Sequence, residues 1–159
     1  MKNIIRDAVK EDMPQVLQLI KELAKFEKES NAVDITAEDL VRDGFGKTPL
    51  FRCFVGEKNG KIGGMALVYP RYSTWKGPVL HLEDLIVTEQ MRGMGLGTDL
   101  LAKVVQYGHE IKAKRISWEV LDWNEPAISF YERKGAKVMR DWDVVQLDEQ
   151  GILNFIRNL

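Results

Sequence analysis

Three β-rich runs, residues 51–55, 62–69 and 79–87, follow one another with no helix between them. The first two flank Asn59-Gly60, a pair suited to the positive-φ positions of a tight hairpin, so these strands are expected to be antiparallel neighbours. Elsewhere strands alternate with helical patterns. A short apolar start at Ile4-Ile5 leads to Met13, Val16, Leu17, Ile20, Leu23 and Phe26 at helical spacing. Thr36 reads as the N-cap of a second helix, ended by Gly44 and Gly46. After a loop over 70–78 and the third run, a glycine-rich turn opens a helix carrying Leu96, Leu100, Leu101, Val104, Val105 and Ile111. A strand over 116–121 and a helix capped by Asn124, with Pro126 in its first turn and Gly135 past its end, come next. Strand material over 137–147 and a short helix over 152–156 complete the order β-α-α-β-β-β-α-β-α-β. Three successive strands exclude a doubly wound parallel sheet and predict an α/β (α+β) fold with a mixed central sheet flanked by helices.

No linker, repeat or biased tract divides residues 1–159, which read as a single domain. Lys and Arg number 23 against 24 Asp and Glu, a net charge of -1, so there is no cationic excess to hold nucleic acid. Cys53 is the only cysteine and the two histidines, His81 and His109, have no ligand spacing, which argues against a disulfide and a metal centre. No apolar run approaches the roughly 20 residues that cross a bilayer, and the start lacks a signal-peptide core, so a cytoplasmic location without membrane attachment is expected.

Three constellations could carry chemistry. Arg92-Gly93-Met94-Gly95-Leu96-Gly97-Thr98 lies between strand and helix, where glycines let backbone N–H groups converge and the helix N-terminus adds positive character. That suits a pyrophosphate, although such a loop is also a common structural turn. It lacks the Lys-Ser/Thr of a Walker loop and the G-x-G-x-x-G spacing of a dinucleotide fingerprint. Glu83-Asp84 interrupts an apolar strand. Alternation forces at least one of these acids toward a covered face unless a bulge re-aims it, and a covered carboxylate needs a partner or a task. An internal salt bridge or an edge position is the plainer reading. On the helix after Asn124, Tyr131 shares a face with Ala127; it is either core or a phenol with a pKa near 10, able to protonate a departing thiolate.

Arg92-x-x-Gly95-x-Gly97 opening a helix, with Asn124 and Tyr131 some thirty residues on, resembles the acetyl-CoA-binding core of the GCN5-related N-acetyltransferases (GNAT). The segments at 20–27, 43–46 and 72–77, with Leu82-Glu83-Asp84 and Val120-Leu121-Asp122-Trp123-Asn124, are similar to the diamine (spermidine/spermine) acetyltransferase family. Ser73-Thr74-Trp75-Lys76-Gly77 resembles its thialysine-acetylating branch. The likeness spans nearly the whole chain and weakens after Gly135.

The resemblance implies a sheet splayed between its fourth and fifth strands, with acetyl-CoA as cosubstrate in the split and no metal. Backbone groups of Leu85, Ile86 and Val87 would pair with the pantetheine arm. Arg92, Gly93, Met94, Gly95, Leu96, Gly97 and Thr98 would hold the pyrophosphate, and Asn124, Pro126 and Ala127 would line the far side of the thioester. Tyr131 would be the general acid and Glu83 would relay the amine proton through water. Phe26, Glu27, Trp75, Glu83, Asp84 and Trp142 would bind the acceptor, and the enzyme would be a homodimer. Polyamine-specific members carry an acid where this chain has Ser73, which moves the expected acceptor toward a thialysine- or lysine-like amino acid or a simple diamine. Transfer would be direct, because Cys53 in an apolar strand is expected to be buried and inert. The competing readings are a non-catalytic acyl-CoA sensor or interaction domain, a nucleotide hydrolase, and His81 rather than Glu83 as the base.

Overall fold

The computed structural model describes residues 2–159, which divide into two compact units, the first ending at Glu119 and the second Val120–Leu159. The first holds β1 (Ile4–Asp7), α1 (Met13–Phe26), α2 (Ala37–Phe45), β2 (Arg52–Lys58), β3 (Lys61–Ser73), β4 (Gly77–Val87), α3 (Leu96–Glu110) and β5 (Ile116–Ser117). Its sheet runs in the order β1-β2-β3-β4-β5. The first three pairings are antiparallel and β4–β5 is parallel, which gives the mixed sheet expected from three successive strands. Asn59 and Gly60 take φ of 55° and 73° in the β2–β3 turn, as the Asn-Gly pair requires.

Each face of the sheet takes a helical layer. On one, Met13, Val16 and Leu17 of α1 and Leu40 of α2 cover Cys53, Val55, Met65, Leu67 and Ile86. Each such side chain fully removed from water contributes about 1.5–3 kcal/mol. Cys53 is buried in this layer and its thiol is pushed up to about 12, which makes it a poor nucleophile. On the other face α3 buries Leu96, Leu100, Leu101 and Val104, an i, i+4, i+5, i+8 stripe. Glycines let this helix approach closely. A Cβ on Gly56 would lie 2.7 Å from Leu96, and one on Gly64 would lie 2.9 Å from both the Ile86 carbonyl and Leu100. The β1–α1 join is fixed by Asp12, which takes two bonds from Arg6 (2.7 and 3.1 Å) and one from the Val9 amide (2.8 Å).

The second unit contains α4 (Glu125–Arg133) and α5 (Glu149–Arg157). Asn124 caps α4 by accepting from the Ala127 amide at 3.4 Å, and Gly135 follows it at φ 90°, both as expected. Asp148 caps α5 in the same way at 2.7 Å.

Four expectations change. Residues 70–78 are not a loop: β3 and β4 continue to a three-residue turn after Ser73. Pro70 is tolerated because β2 ends at Arg52, opposite Val68, leaving β3 with a free edge. β5 stops at Ser117 instead of reaching residue 121. Gly44 lies inside α2, where a Cβ would strike the Phe51 ring at 2.4 Å. Residues 137–147 form no strand, since nothing else in their unit is extended to pair with them.

Gly64→Val would drive a branched side chain against a backbone carbonyl. The expected cost is about 2–3 kcal/mol, or a melting temperature lower by about 5–10 °C, read by circular dichroism; an unchanged melt would show that β3 and α3 separate freely.

Candidate active site

The register of β3 against β4 holds Leu67 opposite Asp84 and Val68 opposite Leu82, so Glu83 is an extra residue, a β-bulge. Its effect is to shift the alternation of β4. Before it, Leu80 faces α3, lying 3.6 Å from where a Cβ on Gly108 would be. After it, Ile86 belongs to the α1/α2 layer and Val87 meets Gly97 of α3. Asp84, two residues from Ile86, therefore faces the α1 side. Glu83 turns the same way, accepting from the Tyr69 hydroxyl at 2.7 Å with His81 Nε2 at 3.5 Å.

The two acids have different surroundings. Glu83 is exposed and its Oε2 takes both of these contacts. Asp84 is half-buried, and no cation or hydrogen-bond donor partners it among the described residues. Burial, with the charges of Glu83 and of Glu27 at the end of α1, pushes its carboxyl up to about 6. Glu27 is itself raised by desolvation. A carboxylate cluster thus forms beside the bulge in which Asp84 has no counter-cation among the described residues, and a ligand ammonium is a group that would complete it.

This cluster adjoins a strand edge. β4 pairs with β5 only at Leu80–Ile116 and His81–Ser117, so no strand of the sheet takes the β5-side edge of β4 from Leu82 to Val87, including Leu85, Ile86 and Val87. At the end of that edge lies the glycine turn. Gly93 and Gly95 take φ of 74° and 82°, and Gly95 is the N-cap of the 15-residue α3. Asn3 braces the turn, donating to the Met94 carbonyl (3.2 Å) and Asp99 (2.7 Å). Arg92 ties it to β4 through the Val87 carbonyl at 3.0 Å and lies over the Phe26 ring, while Glu22 of α1 accepts from the Glu89 amide. The Leu96, Gly97 and Thr98 amides open the helix, where no intrahelical acceptor exists for them, and Lys58 reaches Met94 Sδ at 3.1 Å. Left-handed glycines, open amides and a cation fit a diphosphate.

In the second unit, Asn124, Pro126 and Ala127 form the first turn of α4, and Tyr131 follows one turn later. Tyr131 is half-buried, edge-on to Phe130 at 5.4 Å, and its phenol is raised by burial, so it holds its proton at neutral pH. Trp142 is exposed on the irregular segment before α5.

Within the first unit, then, Phe26, Glu27, Glu83, Asp84, the 85–87 edge and the 92–98 turn come together around one end of β4. Trp75 does not join them: it stands exposed at the β3–β4 tip, about 20 Å up the strand from Glu83. Ser73 Oγ accepts from the Trp75 and Lys76 amides, both at 3.2 Å, so this hydroxyl shapes the tip. A cavity of about 480 Å³ near Asp7, Arg52 and Tyr107 shares only Tyr69 with these groups. The sequence reading missed Tyr69, Arg71 and Ser117, which reach the site from β3 and β5 and whose one sequence signal is the Glu83-Asp84 interruption, and Asn3, which braces the glycine turn from just before β1.

Asp84 carries a stability cost. Its folded pKa lies above the unfolded value, so the penalty is absent below about pH 4 and full above pH 7, where a shift of about two units corresponds to about 3 kcal/mol. Asp84→Asn is expected to raise the melting temperature at pH 7.5 and to leave it unchanged at pH 4. A gain of equal size at both pH values would remove the electrostatic explanation.

Comparison with known proteins identifies the family. Residues 13–136 match the Acetyltransferase (GNAT) family. The chain is 39% identical to bovine (Bos taurus) thialysine N-epsilon-acetyltransferase over 142 residues, covering 84% of each. It is 36% identical to the human spermidine/spermine N(1)-acetyltransferase-like protein 1 over 160 residues, covering 94% of this chain and 23% of that protein. Among solved structures, an integron cassette protein from V. cholerae superposes with a TM-score of 0.80 at 19% identity, covering 99% of each chain. An aminoglycoside N-acetyltransferase in complex with CoA does so at 0.69 and 18% identity, covering 90% of this chain and 98% of that one. At such identities these structures speak to the fold alone. The family match covers most of the chain, and this chain belongs to the acetyltransferase (GNAT) family.

Proposed function

We propose that this chain transfers an acetyl group from acetyl-CoA to the primary amine of a small thialysine- or lysine-like amino acid or a simple diamine, by direct attack in a ternary complex. The observation that carries this reading is the acid cluster of Glu27, Glu83 and Asp84, in which Asp84 has no counter-cation among the described residues and which stands beside the open edge of β4. Acetyl-CoA supplies an activated thioester. The amides of Leu96, Gly97 and Thr98, with Arg92, Gly93, Met94 and Gly95, are its diphosphate contacts, and the Leu85–Val87 backbone pairs with its pantetheine arm. Asn124, Pro126 and Ala127 are assigned to the thioester by the resemblance.

An alkyl ammonium with a pKa near 10.4 must lose its proton before it attacks, at a cost of about 4.6 kcal/mol at pH 7. Asp84 and Glu27 attract the cation, and Glu83 accepts the proton through water. Tyr131, protonated at neutral pH, is the proton donor to the leaving sulfur. Phe26 and the acids form the acceptor end, and Trp142 is assigned to it by the resemblance; Trp75, at the far hairpin tip, is not part of it. Ser73, engaged in the hairpin tip, offers no charge to a distant second ammonium, which favours a short acceptor over spermine.

The chain works as one domain, in the cytoplasm and as a homodimer. The family match, which runs from residue 13 past Glu119 to residue 136, supports the first, and the exposed apolar side chains at Trp142, Val145, Phe155 and Ile156 support the last.

Thiol release from acetyl-CoA with thialysine, lysine, putrescine and spermidine tests the reading. The highest kcat/KM is expected for thialysine or lysine, and no release with any amine would overturn it in favour of a non-catalytic acyl-CoA-binding domain. Tyr131→Phe is expected to lower kcat about ten- to a hundredfold with coenzyme A affinity unchanged; unchanged turnover would take Tyr131 out of the chemistry. Glu83→Gln should move the pH optimum upward, toward the free amine.

A further inference from the structure

His81 is the one buried histidine among the described residues, and three strands surround it with polar groups. Its Nδ1 lies 3.1 Å from the Arg71 guanidinium on β3 and 3.3 Å from Ser117 Oγ on β5. Its Nε2 lies 3.5 Å from Glu83 Oε2 on its own strand, and its ring packs on Tyr69 at a centroid distance of 5.2 Å. These contacts determine which nitrogen carries the proton. A guanidinium has only N–H groups to offer, so Nδ1 must be the acceptor, and the neutral ring is then the Nε2–H tautomer. Nε2 lies on the Glu83 side of the ring, 3.5 Å from Oε2, an ion-pair distance longer than an ordinary hydrogen bond.

We propose that Arg71 fixes His81 as an Nε2–H donor and that His81, together with the Tyr69 hydroxyl, anchors Oε2 of Glu83, leaving Oε1 free of protein donors to receive the amine proton through water. His81 is thereby a positioning residue and not the base. The inference deepens the proposed acetyl transfer and rests on it for the role of Glu83, but the tautomer assignment does not depend on turnover. Burial and the charge of Arg71 hold the imidazole pKa low against the opposing pull of Glu83 and Glu119, which keeps the ring neutral at pH 7.5. A bulged residue has one fewer ladder contact than its neighbours, so without these two donors the Glu83 side chain would sample several rotamers.

Two measurements decide it. Long-range ¹H–¹⁵N correlation of the intact protein at pH 7.5, with His109→Gln removing the other histidine signal, should show His81 protonated on Nε2 only. Arg71→Met should erode that preference. In turnover, His81→Gln keeps a donor at the Nε2 position and should hold kcat within about threefold, whereas His81→Leu should lower it about tenfold with coenzyme A affinity unchanged. A proton on Nδ1 in the intact protein, or His81→Gln as damaging as His81→Leu, would overturn the inference. Should no amine be turned over, the acetyl-transfer reading falls and with it the role of Glu83, while the spectrum still decides whether Arg71 sets the tautomer.

Discussion

The extra residue at Glu83 is the constraint on which the rest of the first unit depends. Without it, Leu82 and Asp84 would share a face, and β4 would put either its acid against α3 or its leucines against α1. With it, Leu80 packs toward α3, Ile86 joins the α1/α2 core, and Glu83 and Asp84 both turn to the face where the end of α1 brings Glu27. A bulge also bends its strand, and the parallel pairing with β5 stops two residues earlier, at His81. One inserted residue thus accounts for the acid cluster and for the open edge beside it.

Two aspartates show what the site costs. Asp12 is buried, but Arg6 and the Val9 amide meet both of its oxygens, and its carboxyl is held below the usual range. Asp84 is covered without a donor or cation, and its carboxyl is raised to about 6. Asp12 therefore stabilises the fold at neutral pH and Asp84 opposes it. A structural role favours the first arrangement. The second persists where a charge is kept for something that arrives from outside.

The sequence displayed the ingredients more clearly than their assembly. Alternation broken by three strands, the Asn59-Gly60 turn, the Thr36 and Asn124 caps and the α3 stripe from Leu96 to Val104 are local patterns that formed where expected, whereas Val105 and Ile111, also read into that stripe, are exposed. Glu83-Asp84 stood out because acids are costly in an apolar strand, but alternation alone could say only that a bulge was one escape. Tyr69, Arg71 and Ser117 were invisible as site residues, because what joins them to His81 is the register of three strands. Residues 137–147 failed in the opposite direction. Val138, Met139, Trp142, Val144, Val145 and Leu147 have the composition of a strand, but composition supplies no partner for the ladder.

Recruiting an ammonium and deprotonating it pull in opposite directions, since each nearby carboxylate that attracts the cation also stabilises its charged form. A unit charge 4 Å away is worth about 4 kcal/mol at an effective dielectric constant of 20, comparable to the whole cost of freeing the amine. The cluster offers a way around this. When the amine proton passes to one of the acids, the cation disappears and the repulsion between Glu83 and Asp84, one of the causes that raise Asp84, disappears with it. The interaction that weakens the resting fold is therefore relieved in the step the proposed reaction requires. On the proposed reading, the Tyr69 hydroxyl, which donates to Oε2 of Glu83 with His81 beside it, leaves Oε1 to take that proton.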